Sequence, residues 1–592
     1  MKFLLTAINA KYIHSNPAIY SLRAYAGKEL WERIVLAEFT INQDKMDILA
    51  RIYEQRPEAV GFSCYIWNWK LVEDLLKELP KVLPDTDIWL GGPQVSFGAE
   101  DILRKYPQVT GIMVGEGEAA FRELITLYEK REQGMDIDFG ACAGLCLPQG
   151  FTGPRELLDI NSVPFPYENL EPFANRIIYY ESSRGCPYRC SYCLSSVDKC
   201  IRIRDISVVK KELQFFLNHR VKQVKFVDRT FNCNPAHAME IWRYLQEHDN
   251  SVTNFHFEIS ADLLKEEHIA LLGSLRPGLV QLEIGVQSVN PHTLQAVCRV
   301  TNLERLEKNV AAIRAGNNVH QHLDLIAGLP YEDLESFAGS FDRVYAMKPQ
   351  QLQLGFLKVL KGSKLYEEAE QFGIRYLEEP PYEVLSTNWL SFGQLRRLKK
   401  IEELVELYYN SGQYSHTLRL LEKVFQSPFA MFASMADFFE KQNYFLNSPA
   451  RAHRYGILLR FAWEWDPERL PAYKELLTYD MYLREKAKSR PDFARDITPF
   501  KEDIRDFYQT EENQRSCLKG YEGYDWKQMS KMTHLEPFFY PVWEPEKIGE
   551  AKEKPCFVLF DYRERSPLTK EARTTILRSH GKGTYDTLLR QH

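Results

Sequence analysis

The sequence has 592 residues, of which 44% are hydrophobic and 13% aromatic, and its formal net charge is −6 at pH 7. This composition is typical of packed domains, excludes a long disordered chain and corresponds to three or four domains of about 150 residues. The negative charge argues against a broad nucleic-acid surface. Scattered cysteines, no leader-like start and no apolar run of about 18 residues predict a cytoplasmic protein that does not cross a membrane.

Residues 1–135 alternate short β-rich runs with amphipathic helical stretches. The runs include KFLLTAIN, RIVLAEFTI, AVGFSCYIW and DIWLGGPQ. Apolar strands joined by amphipathic helices indicate a doubly wound parallel sheet. We therefore predict a Rossmann-like or flavodoxin-like α/β domain over this segment.

Two glycine-containing segments, LGGPQ and VGEGE, end successive strands of this predicted sheet. Glycines at the carboxyl edge let the backbone approach a large planar or phosphate-bearing ligand. Tight turns between a strand and a helix also need glycine, so the segments alone leave both interpretations open. The candidate ligand contacts are Gly91, Gly92, Pro93, Gly115, Glu116 and Gly117.

Three further segments follow. Residues 136–175 are rich in turn residues and prolines and are predicted to be a linker. Residues 176–375 contain about six strand–helix units, enough for a partial (β/α)6 barrel whose active site lies at the carboxyl ends of the strands. Residues 376–592 are predicted to form a mainly helical domain, in which CFVLFDYRERSPLT has a strand pattern.

The stretch RGCPYRCSYC places Cys186, Cys190 and Cys193 on one tight loop after the first predicted barrel strand. Three thiolates on such a loop can hold three irons of a cubane cluster and leave the fourth iron open to a substrate. Structural zinc is the alternative, but it needs a fourth ligand and usually a paired C-x-x-C arrangement. Cys200 is the nearest spare thiol.

The cysteine loop, with the aromatic Tyr192 before its last cysteine, resembles that of the radical SAM superfamily. The resemblance extends from about Glu181 to Lys361 and includes KFVDRTF, FHFEISADLL, LEIGVQSVNPHTL and LDLIAGLPYED. With the N-terminal domain, the chain resembles the cobalamin-binding radical SAM enzymes as far as about residue 375. This resemblance implies a 4Fe-4S cluster on the three cysteines, S-adenosylmethionine on its open iron, cobalamin, and an electron donor such as flavodoxin or ferredoxin.

The family pattern also implies contacts with S-adenosylmethionine from the ends of the barrel strands. Glu258 and Ser260, like Glu283 and Gln287, alternate with apolar residues and are predicted to face the barrel interior together. They would contact the methionyl amine or the ribose, although Glu283 could instead belong to a structural ion pair. The segment from Ile326 resembles the loop that lines the adenine. The full candidate set is Tyr192, Asp228, Glu258, Ser260, Glu283, Gln287 and Ile326.

The resemblance implies an enzyme, with methyl transfer to an unidentified substrate as the leading hypothesis. A cobalamin-dependent radical rearrangement or cyclisation is one alternative, and a non-catalytic protein that binds S-adenosylmethionine and cobalamin is another. No D-x-H-x-x-G string supplies an axial histidine, and His14 is available either as a ligand or as a hydrogen-bonded loop residue. The pair in CAGLC lacks a third cysteine, so the second cluster of the RNA methylthiotransferases is not expected.

Overall fold

The computed structural model describes residues 2–197, 200–447, 449–581 and 584–591. The chain divides into two compact units. The first unit contains the chain up to residue 319 together with 326–333 and 355–391, and the second contains 320–325, 334–354 and the chain from 392. No described helix combines the length and the apolar composition that a bilayer crossing requires.

The first unit begins with a seven-stranded sheet. Its elements are β1 (Phe3–Asn9), α1 (Pro17–Ala26), β2 (Ile34–Thr40), α2 (Lys45–Gln55), β3 (Ala59–Ser63), α3 (Trp69–Val82), β4 (Asp87–Gly91), α4 (Pro93–Ser96), α5 (Ala99–Lys105), β5 (Gly111–Met113), α6 (Glu118–Glu132), β6 (Leu145–Leu147) and β7 (Gly150–Phe151). Every residue of β1, an interior strand of this sheet, is buried. The apolar side chains of α3 recur at helical spacing and are buried, because this stripe packs into the core beside the sheet.

The strand order of this sheet is β2-β1-β3-β4-β5-β6-β7. The first five strands pair in parallel, and β6 and β7 pair antiparallel. The order 2-1-3-4-5 is that of doubly wound flavodoxin-like sheets, so the predicted fold class is confirmed. Residues 145–151, inside the segment predicted as a linker, add the two antiparallel strands, which are too short to show a period in the sequence.

A second series of strands and helices follows. It comprises β8 (Ile178–Tyr180), β9 (Ser183–Arg184), β10 (Arg202–Ile203), α7 (Ile206–Asn218), β11 (Gln223–Phe226), α8 (Pro235–Glu247), β12 (Asn254–Ile259), α9 (Glu266–Ser274), β13 (Val280–Gln287), α10 (Pro291–Ala296), α11 (Leu303–Ala315), β14 (His320–Ala327), α12 (Leu334–Ala346), β15 (Gln351–Phe356), α13 (Lys364–Glu367), β16 (Arg375–Tyr376) and β17 (Val384–Ser386). Strands β11 to β15 are each followed by a helix, and β8 is followed by the short strands β9 and β10 and then by α7, which is the order of six βα units. In the first unit, β8, β11, β12 and β13 pair in parallel in chain order, as a (β/α) barrel requires.

The second unit continues from residue 392 with helices and ends in a sheet. Its elements are α14 (Phe392–Leu404), α15 (Ser415–Leu421), α16 (Pro428–Lys441), α17 (Arg451–Trp465), α18 (Leu470–Arg484), α19 (Lys501–Gln514), α20 (Trp526–Met532), β18 (Thr533–Phe538), β19 (Cys556–Arg565), β20 (Ala572–Gly581) and β21 (Thr584–Gln591). The last four strands form an antiparallel sheet in chain order. The mainly helical character is confirmed, and the strand pattern in CFVLFDYRER is β19.

Candidate functional site

The cysteine loop lies between β9 and β10, which pair antiparallel and bring its two ends together. Cys186 and Cys190 are buried, Cys193 is half-buried, and all eleven cysteines are free thiols. Gly185, with φ +94°, allows the sharp turn into the loop, because a Cβ there would overlap the carbonyl oxygen of Cys200. Three free thiols, which are soft ligands, on a loop whose two ends are held together by β9 and β10 fit three irons of a 4Fe-4S cluster.

The thiol of Cys190 lies in a buried polar environment. Arg299 approaches it with Nη1 3.9 Å from Sγ and donates a further hydrogen bond to the carbonyl of Gly285. Burial raises the pKa of the Cys190 thiol, while the charge of Arg299 and a hydrogen bond with Tyr192 oppose that rise. Arg299 is a functional residue that the sequence pattern does not reveal, because it is a lone basic residue within the stretch AVCRVT.

Asp228 is buried and contacts the two serines that precede the cysteine loop. Its carboxylate accepts hydrogen bonds from the hydroxyls of Ser182 and Ser183, at 2.6 and 2.5 Å, and from the Ser182 amide at 3.0 Å. Burial raises the pKa of Asp228 to about 6 although these three bonds favour the charged form. The residue therefore anchors the backbone that leads to Cys186.

Glu258 and Glu283 do face one side of the barrel sheet together, since they are paired across β12 and β13. Lys225 lies 3.8 Å from the Glu258 carboxylate and 3.0 Å from that of Glu283, which also lies 2.9 Å from His256 Nε2. Burial raises the pKa of Glu283, but His256 and Lys225 outweigh it and lower the pKa to about 2. The ion-pair alternative for Glu283 therefore has direct geometric support, and an ion-paired carboxylate can still line a ligand site.

The other barrel candidates have different surroundings. Ser260 is buried, and its hydroxyl donates to Asp262 at 2.6 Å. Gln287 has φ +72°, and its buried side-chain oxygen has no hydrogen-bond partner among the described residues. An unpaired buried acceptor at a strand end fits a donor on a bound ligand. Ile326, near the end of β14, and Tyr192 are partly buried.

A cavity of about 1440 Å³ within the first unit opens at the carboxyl edge of the N-terminal sheet. That volume exceeds the roughly 300–1,000 Å³ of ordinary ligand pockets and suits a large cofactor together with a substrate. The predicted site residues in its lining are Gly91, Gly92, Pro93, Gly115, Glu116, Gly117, Tyr192 and Cys193. The structure thus brings the glycine segments and the cysteine loop to one space, whereas Asp228 and the interior barrel candidates lie outside this lining.

The glycines of the edge serve different purposes. Gly92 has φ +107°, and a Cβ there would lie 2.6 Å from the carbonyl oxygen of Cys64, so the turn itself requires glycine. Gly115 has φ +79°, and a Cβ there would meet no atom of the described residues within 4 Å. It lies exposed in the cavity lining. Gly115 is therefore the position where a flat ligand could approach the backbone, which fits a corrin ring.

Two of the aromatic rings that line this cavity stack on each other. Tyr65 and Trp67 stack with ring centroids 4.2 Å apart and planes inclined by 10°. Among the described residues of the lining none is a histidine. His14 lies elsewhere, with Nδ1 2.7 Å from the hydroxyl of Tyr179, and so has the surroundings of a hydrogen-bonded loop residue.

Glu116 is held by protein groups on both of its carboxylate oxygens. Oε1 accepts from Arg184 at 3.0 Å and from Arg202 at 2.5 Å, and Oε2 accepts from Arg202 at 2.9 Å and from the Leu158 amide at 2.9 Å. Burial raises the pKa of Glu116, but these partners outweigh it and lower the pKa to about 2. The carboxylate is charged at neutral pH and bound within the protein.

Comparison with known families divides the chain in three. A family model of the B12 binding domain matches residues 4–125, and one of the radical SAM superfamily matches residues 180–344. A model described as a protein of unknown function, DUF4080, matches residues 370–560. Among curated proteins, the cobalamin-dependent radical SAM methyltransferase TokK of Streptomyces tokunonensis is 27% identical over 409 residues, which cover 61% of this chain and 56% of TokK. The chain thus spans about half the length of that relative.

Solved structures show the same fold. The radical S-adenosylmethionine methyltransferase TsrM from Kitasatospora setae, with tryptophan and aza-SAM bound, has a TM-score of 0.55 and 17% identity over 70% of this chain and 90% of TsrM. OxsB, a cobalamin-dependent S-adenosylmethionine radical enzyme with aqua-cobalamin and S-adenosylmethionine bound, has a TM-score of 0.55 and 15% identity over 80% of each chain. The two domain matches imply a 4Fe-4S cluster, S-adenosylmethionine and cobalamin, and the cysteine loop and the cavity fit these groups. The chain therefore combines a B12 binding domain with a radical SAM domain, the combination for which its cobalamin-dependent radical SAM relatives are named.

Proposed function

We propose that this protein transfers a methyl group to a small-molecule substrate by cobalamin-dependent radical SAM chemistry. The observation that carries the proposal is the single cavity onto which both Cys193 and the glycine edge of the N-terminal sheet open. A substrate held in that space can be activated on one side and receive a group on the other. The likeness to methyltransferases of the family supports the same activity.

The candidate residues in the cavity lining, on the cysteine loop and at the barrel strand ends each have a task in this proposal. Cys186, Cys190 and Cys193 would hold three irons, and the free acceptor of Gln287 would bind a donor group of S-adenosylmethionine. Gly115 would let a corrin ring approach the backbone. When bound, the cluster and S-adenosylmethionine supply a 5′-deoxyadenosyl radical for hydrogen abstraction, and cobalamin supplies the methyl group. The surrounding walls would limit the access of water to the bound substrate, because a substrate radical must be protected from side reactions.

The proposal extends to partners and organisation. Reduction of the cluster needs an electron donor, for which a flavodoxin or a ferredoxin has the appropriate chemistry. Eleven free thiols support a reducing compartment, the cytoplasm. We propose domain boundaries of 1–135, 136–175, 176–375 and 376–592, which are supported by family matches at 4–125, 180–344 and 370–560.

The test begins with anaerobic purification of the full-length protein and measurement of iron, sulfide and cobalt. The protein is then incubated with S-adenosylmethionine and a reductant, and 5′-deoxyadenosine is quantified by mass spectrometry. A fully loaded protein that forms no 5′-deoxyadenosine would contradict the catalytic proposal and favour a binding protein.

The substrate search uses small-molecule extracts of a strain that lacks the gene, with S-adenosylmethionine carrying a trideuterated methyl group. Methyl transfer adds the labelled methyl group in place of one hydrogen. A product without the label whose mass is unchanged would indicate rearrangement, and one that has lost two hydrogens would indicate cyclisation. Either outcome would replace the methyltransferase proposal. Labelled RNA instead of a labelled small molecule would overturn the proposed substrate class.

A further inference from the structure

A cluster of five charged side chains lies between the glycine edge of the N-terminal sheet and the cysteine loop. Glu116, in the segment VGEGE, binds two arginines that are distant in sequence. Arg184 belongs to β9, two residues before Cys186, and Arg202 belongs to β10 at the far end of the same loop. The cluster thus contacts both ends of the loop that carries the cysteines.

Protein groups occupy all the hydrogen-bond acceptor sites of the Glu116 carboxylate in this cluster. A carboxylate offers about four lone-pair sites, and Glu116 accepts four hydrogen bonds, three from the arginines and one from the Leu158 amide. Arg184 is further held by Glu118 and Glu181, each at 2.8 Å. Charge-assisted bonds in a mostly buried setting are among the stronger polar contacts in proteins.

Glu116 lies between two glycines that line the cavity. Its neighbours Gly115 and Gly117 line the cavity at the edge where a corrin ring would approach. One carboxylate therefore ties the ligand edge of the N-terminal domain to both ends of the cysteine loop. We propose that Glu116 is a positioning residue, not a cofactor ligand, and that it sets the distance between the cluster and cobalamin by clamping Arg184 and Arg202.

The positioning role of Glu116 rests on the proposed function, but the first measurement of its test, hydrogen exchange of the cysteine loop, needs no bound cofactor. Glu116→Gln keeps the shape of the side chain and replaces one acceptor by an NH₂ group that faces other donors. Glu58→Gln is the matched control, because Glu58 binds Arg131 through two N–H groups at 3.2 and 2.7 Å and directly precedes β3, at the opposite edge of the same sheet. Hydrogen exchange of the loop amides at 185–197 is measured in both full-length variants.

We expect the loop amides to exchange about tenfold faster in Glu116→Gln, the factor that corresponds to losing roughly one charge-assisted bond, and at the wild-type rate in Glu58→Gln. After reconstitution, Glu116→Gln should retain iron and cobalt, while pulsed electron paramagnetic resonance should show a broader distribution of distances between the reduced cluster and cob(II)alamin. The double variant with Arg202→Gln should be no worse than the worse single variant, because the two residues act through each other.

Three results would overturn the inference. The first is a Glu116→Gln protein whose loop amides exchange at the wild-type rate and whose distance distribution is unchanged, and the second is an equal effect of Glu58→Gln. The third is loss of cobalt from Glu116→Gln while its loop is undisturbed, which would make Glu116 a cofactor ligand. If Glu116→Gln does not fold, Arg202→Gln alone is judged by the same measurements, since it leaves the bond between Arg184 and Glu116 in place. A wild-type protein that binds no cobalt would refute the proposed function, whereas the exchange data would still decide the clamp.

Discussion

Replacement of Gly115 by valine separates ligand space from backbone strain at the predicted cobalamin edge. Gly115 and Gly134 have nearly the same backbone angle, φ +79° and +77°, and in the described part of the chain a Cβ at either position would meet nothing within 4 Å. Gly115 lines the cavity, whereas Gly134 lies just beyond the end of α6 and outside the lining. Gly134→Val is therefore a matched control for Gly115→Val.

The expected magnitudes follow from these two settings. An L-residue forced into the left-handed region costs about 1–2 kcal/mol, so both variants should lose similar stability. In Gly115→Val the branched side chain also enters the space where a flat ligand would meet the backbone. We expect cobalamin affinity to fall at least about tenfold, or about 1.4 kcal/mol, with no change in Gly134→Val.

The assay is reconstitution with hydroxocobalamin, gel filtration, and measurement of cobalt and iron in the same fractions. Both variants should retain iron, because the cysteine loop is untouched, and should unfold at similar temperatures. A Gly115→Val protein that binds cobalt with wild-type affinity would refute the placement of cobalamin at this edge. Equal loss of cobalt in Gly134→Val would attribute the effect to backbone strain alone.

Three further predictions concern the cysteine loop and the turn at Gly92. Cys190→Ala should abolish the visible absorbance of the cluster and Cys298→Ala should not; stoichiometric iron and sulfide in Cys190→Ala would contradict the assignment. Gly92→Ala should destabilise the N-terminal domain by about 2–4 kcal/mol, since a backbone conformation reserved for glycine and a Cβ 2.6 Å from a carbonyl oxygen both oppose it, and wild-type thermal unfolding of that variant would be the contrary result. The Asp228 carboxyl, with its pKa raised by burial to about 6, contributes stability that is complete below pH 3.8 and lost as pH rises through 6, roughly 3 kcal/mol in all. Urea unfolding between pH 4 and 7 should show this loss in the wild type and not in Asp228→Asn, and identical profiles would contradict it.

The sequence alone was sufficient for features that depend on neighbours along the chain. Alternating apolar strands and amphipathic helices indicated both α/β regions, because periods of about two and 3.6 residues are local properties. Three cysteines within eight positions belong to one short stretch of the chain, so the thiol site was predictable from spacing. The strands β6 and β7 were missed, since two or three residues carry no measurable period.

Residues distant in sequence were brought together only by the tertiary structure. Gly92 and Gly115 look alike in sequence, but one faces the backbone of Cys64 and the other faces open space. Glu116 meets Arg184 and Arg202 across 68 and 86 positions of the chain. The sequence therefore determined which segments could bind cofactors, and the packing of the domains decided which side chain performs which task, because contact between distant residues depends on how the strands and loops are arranged in space.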